Sequence, residues 1–215
     1  MEQSFRFDSL YVSFNFFELS KFSWEHSPVI SIPSFSWLIL CLLISITIYS
    51  QSEKPELVIA TERVEPGILF IFEGAIKDNI SPSSMHLSEN ETNIHIEARV
   101  NWDTDNIPKG TPAGGFVPYL YISAHVINQK TGLSTFVDLL PHINLVDNFH
   151  YARNISLPGS VEDKYSVKFN VTKPSGTDLA LHMDWLKSYG KQLLENKTFS
   201  YDNVDFSAVA KASRN

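Results

Sequence analysis

From Glu53 onward, apolar and polar positions alternate in short runs separated by clusters of Asn, Asp, Gly and Pro. Alternation with a period of two is the mark of a strand with one buried face. Strands are predicted at Leu57–Thr61, Ile68–Phe72, Asn93–Trp102, Tyr119–Asn128, Ser134–Leu140, Phe149–Ser156, Tyr165–Thr172 and Thr198–Asp205. Short strands at such spacing predict an all-β domain, an antiparallel β-sandwich. Asn128-Gln-Lys-Thr-Gly132 reads as a hairpin loop with its glycine in the left-handed region. Asp178–Leu194, with Leu179, Leu181, Trp185, Leu186 and Leu193, departs from the strand pattern and reads as a helix or two short turns. The end, 207–215, is small and polar and is expected to be a flexible tail.

Upstream the pattern is different. No charged residue lies between Ser27 and Ser52, and Trp37–Tyr49 is almost continuously apolar. A buried helix at a surface would show a polar stripe, and this run has none. It fits a signal peptide, or, extended by Val29, Ile30, Ile32 and Phe35, a membrane anchor. Arg6 and Lys21 are outnumbered by Glu2, Asp8, Glu18 and Glu25, so the first residues make a poor signal-peptide start. Either the start lies further in or the segment stays as a cytoplasmic tail. The chain thus divides into 1–52, a tail with a signal or anchor segment; 53–206, the folded domain; and 207–215. The domain is expected outside the cytosol: periplasmic, secretory or at the cell surface, anchored or secreted. The sequons at Asn90, Asn154, Asn170 and Asn196, with a weaker one at Asn79 ahead of Pro82, are compatible with a glycoprotein.

Charge and cysteine content exclude several functions. The formal charge is −7 with no basic cluster, which argues against nucleic acid as a partner. The single cysteine, Cys41, lies in the apolar run. The domain therefore has no disulfide, no zinc–cysteine site, no thiol nucleophile and no blue-copper thiolate. No Gly-x-Ser-x-Gly occurs either. An enzyme is not expected.

Histidine chemistry remains. The domain holds His86, His95, His125, His142, His150 and His182. In Asn93-Ile-His-Ile-Glu-Ala-Arg-Val100, His95 and Glu97 are two apart, so on a strand both project from one face. His142 and His150 bracket Ile143–Phe149, and His182 precedes Met183-Asp-Trp. Neutral imidazole suits copper, zinc, iron or nickel. A solvated strand face explains many His-x-Glu pairs, and a histidine beside aromatics, as in His150-Tyr151, is often a hydrogen-bonded core residue. His125 reads as structural or surface.

The order of these segments adds to the picture. Asn93-Ile-His-Ile-Glu, Gly114-Gly-Phe-Val-Pro-Tyr-Leu-Tyr-Ile-Ser123, Leu140-Pro-His142 with Phe149-His-Tyr151, and Leu181-His-Met-Asp184 resemble the bacterial periplasmic iron-transport accessory family, which includes pathogen membrane lipoproteins. The resemblance implies an immunoglobulin-like sandwich, a homodimer, and a copper-type site of His, Glu and Met near the dimer interface. It implies His95, Glu97, His150 and His182 as ligands, with His142 as a candidate fifth. The family commonly has Met where this chain has His142, an exchange of thioether for imidazole that suits Cu(II), Zn(II) or Fe(II) better than Cu(I). It also implies copper or iron as the ion, with zinc or manganese possible in vitro, and a membrane iron permease as partner. Unperturbed imidazoles would lose the ion as pH falls through roughly 6.5. Each histidine needs a partner that fixes its tautomer; Asp147, Tyr151 and Asp184 are candidates that the sequence does not assign. The competing reading is an adhesion-like or receptor sandwich with incidental histidines.

Overall fold

A computed structural model describes residues 55–214; the apolar segment expected to be a signal or anchor lies outside the described residues. Among the described residues no helix is long and apolar enough to cross a membrane. The domain is all-β. The strands are β1 (Leu57–Val64), β2 (Ile68–Ala75), β3 (Ile94–Trp102), β4 (Tyr121–Asn128), β5 (Ser134–Asn144), β6 (Asn148–Ile155), β7 (Tyr165–Thr172) and β8 (Lys197–Val204). Two short helices follow β7 and β8: α1 (Met183–Tyr189) and α2 (Ser207–Lys211). Each predicted strand has its counterpart, and Gly132 adopts φ 74° as its hairpin requires.

Every pairing is antiparallel, in the order β1-β2-β3-β6-β5-β4-β7-β8. The eight strands run as one continuous sheet that folds over on itself, and β5 is the reason. β5 pairs with β4 as far as Leu139 and with β6 from Leu140. The predicted strand ends at Leu140, ahead of Pro141, yet β5 continues to Asn144. Pro141 lacks an N–H and is tolerated just where the strand changes partner.

The two halves face each other through alternate side chains. Ile94, Ile96, Ala98 and Val100 of β3 point inward with Phe70 and Phe72 of β2, against Ile122, Ala124 and Val126 of β4 and Val167, Phe169 and Val171 of β7. Phe72 and Phe169 stack with ring centroids 4.1 Å apart. Burying a side chain of this size stabilises by about 1.5–3 kcal/mol. Tyr151, also buried, accepts from Leu120 N (3.1 Å) and donates to Val117 O (2.9 Å), so its hydroxyl ties β6 to the connection before β4. That connection ends at Tyr119 with φ 67°, which is why β4 starts at Tyr121 and not at Tyr119.

The expected flexible tail is corrected. Ser207–Lys211 forms α2, and Val209 and Ala210 are buried against the core. Two small apolar side chains suffice to dock a single turn.

Candidate metal centre

The face of β3 that turns away from the core carries His95, Glu97, Arg99 and Asn101. Register sets their neighbours. Glu73 of β2 lies opposite Glu97, Asn154 of β6 lies opposite His95, and His142 of β5 lies opposite His150 of β6. A polar outer face would ordinarily be wet. Here the connection from β2 to β3 covers it, and His95, Glu97 and His150 are left 4%, 2% and 1% exposed.

The latch of this cover is Asn154. Its amide nitrogen donates to Asp78 O (2.8 Å) and Leu87 O (3.0 Å), at two points of the covering loop. That fixes the amide's orientation, so its oxygen must accept, and His95 Nδ1, 2.9 Å away, must carry a proton. The same logic holds for the other imidazoles. His142 Nδ1 donates to Leu140 O (2.8 Å) and His150 Nδ1 to Asn148 O (3.1 Å). Each ring therefore keeps a free lone pair on Nε2, the state a metal ligand needs. The partners are Asn154 and two main-chain carbonyls, and none of the candidates Asp147, Tyr151 and Asp184. Asp147 instead accepts from Asn144 and lies 3.8 Å from Arg99.

His95, Glu97 and His150 bring their ligand atoms within 4.8 Å of one another. Glu97 Oε2 is 3.4 Å from His150 Nε2 and 3.9 Å from His95 Nε2. The His142 ring lies 5.3 Å from that of His95 and 5.8 Å from that of His150, centroid to centroid. Burial dominates the electrostatics. It pushes His95 down to about 3 and holds His142 and His150 below the ordinary histidine value, so all three are neutral at pH 7. Burial, reinforced by Glu73 and Asp147, pushes Glu97 up to about 8. Two imidazole lone pairs and one reluctant carboxyl therefore face a common point, where a proton on Glu97 competes with any cation.

His182 is elsewhere. It caps the N-terminus of α1, exposed, and Trp185 one turn on packs its ring against Trp102, centroids 6.4 Å apart. Trp102 is seven residues beyond His95 on β3, roughly 23 Å along the strand. Within one chain His182 is thus at the opposite end of the sheet from the cluster. His125, on β4 against Phe136, is also remote from it, as its reading as a structural or surface residue anticipates.

Two residues have roles here that the sequence does not assign. His86, on the covering loop, lies with its ring 4.9 Å from that of His142. Asn154 was read as a sequon, but its side chain is 1% exposed and fully engaged, so the folded chain has no acceptor amide there. Neither carries a local signal: one depends on loop folding, the other on cross-strand register. His86, His95, His142 and His150 line one cavity of about 670 Å³ with Met85.

A sequence profile of the family described as Fe2+ transport protein matches residues 53–208. The 34 kDa membrane antigen of Treponema pallidum (strain Nichols) is 31% identical over 98 residues, 45% of this chain and 47% of the antigen, so the chain matches about half the length of that relative. Among solved structures, a copper-bound variant of Campylobacter jejuni P19 superposes with a TM-score of 0.59 at 24% identity, over 69% of this chain and 96% of that one. A copper-bound variant of FetP from uropathogenic Escherichia coli strain F11 gives a TM-score of 0.57 at 22% identity, over 69% and 95%. At these identities the two structures establish a shared fold.

Proposed function

The chain belongs to the Fe2+ transport protein family, and from that premise we propose that it is an extracytoplasmic transition-metal-binding protein, an accessory to iron uptake that holds copper or iron and passes it to a membrane permease. The observation that carries this reading is the convergence of His95, His150 and Glu97, with three Nδ1–H groups anchored so that three Nε2 lone pairs, His142 included, are left for an ion. Copper-bound relatives of the same fold support it.

The ligands of this proposal are His95, Glu97, His142 and His150. Three imidazoles and a carboxylate form a borderline set, suited to Cu(II), Zn(II) or Fe(II). Ligands on paired strands give a pre-organised geometry. The resemblance to the iron-transport accessory family supports the rest of the proposal. The protein acts as a carrier and not as an enzyme. It pairs as a homodimer, and the run at 37–49 delivers or anchors it outside the cytosol. His182 can reach the ion only from a second copy, since in its own chain it lies at the far end of β3.

Titration calorimetry with Cu(II) and Zn(II) on the purified domain tests the reading. One equivalent is expected, with binding at least 100-fold weaker in His95→Ala. Absence of binding in the unsubstituted domain would overturn it. Protease protection in sealed vesicles tests the topology.

A further inference from the structure

We propose that His86 and His142 form an outer capture position for the cation, from which it passes inward to His95, Glu97 and His150, with His142 serving both positions in turn. The inference rests on the metal-binding reading above and adds to it a ligand and an entry route.

Three observations carry it. His86 Nδ1 and His142 Nε2 are both buried and have no hydrogen-bond partner among the described residues. An unpartnered buried nitrogen is costly, and one beside another marks a place built for something that accepts lone pairs. The ring centroids are 4.9 Å apart, edge-on at 72°. One tetrahedral cation with metal–nitrogen bonds of about 2.0–2.1 Å holds two imidazole centroids roughly 5 Å apart. The spacing is therefore already that of a two-imidazole site.

The third observation is the order of the rings. His86 lies 4.9 Å from His142, and His142 lies 5.3 Å from His95 and 5.8 Å from His150. His86 sits on the covering loop and is partly exposed, His142 is next, and His95 and His150 are buried. The imidazoles thus descend from the surface to Glu97. His142 spends Nδ1 on Leu140 O and has only Nε2 to offer, so it serves one cation at a time. One ion can then move between positions without ever losing this ligand. A way-station lowers the barrier in both directions, so it changes rates and leaves final affinity alone.

The test uses the full chain with Zn(II), which is redox-silent. Calorimetry gives affinity, and stopped-flow competition with a fluorescent zinc indicator gives capture and release rates. His86→Ala should bind one equivalent within threefold of the wild-type affinity, with capture and release each slowed at least tenfold. Glu97→Gln weakens the inner position and should retain one weaker equivalent. That residual binding should fall at least 30-fold further in the double variant His86→Ala/Glu97→Gln. Thermal melts of each variant establish that it is folded. Wild-type rates in His86→Ala, or equal binding by Glu97→Gln and the double variant, would overturn the capture position while leaving the inner site intact. Failure of the unsubstituted chain to bind Zn(II) would overturn the metal reading itself, and the capture position with it.

Discussion

Glu73 and Glu97 face each other across β2 and β3, 1% and 2% exposed, and Arg99 Nη2 lies 2.6 Å from Glu73 while Glu97 turns to the histidines. The two carboxyls therefore live differently. Arg99 offsets part of the burial cost of Glu73, although Glu73 still stays above the ordinary carboxylate value. Glu97 is pushed up to about 8, by burial first and by its carboxylate neighbours second.

The pH dependence of metal binding follows. Glu97 must lose its proton to ligate, so between pH 6 and 8 affinity should rise about tenfold per pH unit and flatten above about 8. The imidazoles should add no break near 6.5, because His95 is held down to about 3. This replaces the expectation drawn from unperturbed histidines. Calorimetry in buffers of different ionisation enthalpy should show close to one proton released per ion at pH 6.5. An affinity that breaks at 6.5 and is flat from 7 to 9 would contradict it.

The same proton governs the stability of the metal-free protein. A carboxyl whose folded value is raised from 4.5 to about 8 contributes stability that is full below about 4.5 and is lost as pH rises through about 8. Glu97→Gln removes that loss. The variant should match the wild type within about 1 kcal/mol at pH 5 and exceed it by about 2–4 kcal/mol at pH 9. Urea unfolding of the metal-free proteins at both pH values reads the difference.

Asn154→Ala should weaken metal binding 10- to 100-fold, the range typical of groups that orient a ligand. It removes the acceptor for His95 Nδ1 and both donors to the covering loop. Amide exchange at 78–87 should accelerate in the same variant. Wild-type affinity would show that the loop and the His95 tautomer are held by other means.

At concentrations where the chain is monomeric, His182→Ala should bind metal within threefold of the wild type. It is exposed at the start of the helix whose Trp185 packs on Trp102, seven residues along β3 from His95. A loss of affinity that appears only as protein concentration rises would bring His182 to the ion from a second copy.

Phe72→Ala should cost about 3–5 kcal/mol, since Phe72 is fully buried and stacks on Phe169 across the fold. The measurement is a denaturant midpoint at unchanged slope.

Much of this was legible in the chain. Strict alternation in Ile94-His-Ile-Glu-Ala-Arg-Val100 gives both the strand and the shared face of His95 and Glu97, because both depend only on pleat. His142 and His150 were found as a bracket and are in fact register partners on adjacent strands. What was missed depends on contacts between distant segments. His86 gains meaning only when the loop folds over β3, and Asn154 only from its place opposite His95. His182 was placed by motif order alone, which carries no information on which end of a sheet a helix caps.

β5 has a mechanical consequence. Its first half is zipped to β4 and its second half, from Leu140, to β6, and His142 lies two residues past the crossing. His95 and His150 ride together on β3 and β6, whereas His142 hangs from the one beam that both halves of the fold share. His142 is therefore held by the strand that joins the two halves, whereas His95 and His150 belong to one half alone. The geometry of the cluster is thus shared between two layers of the fold, so the position of His142 relative to His95 and His150 is set by how β5 bends at Leu140.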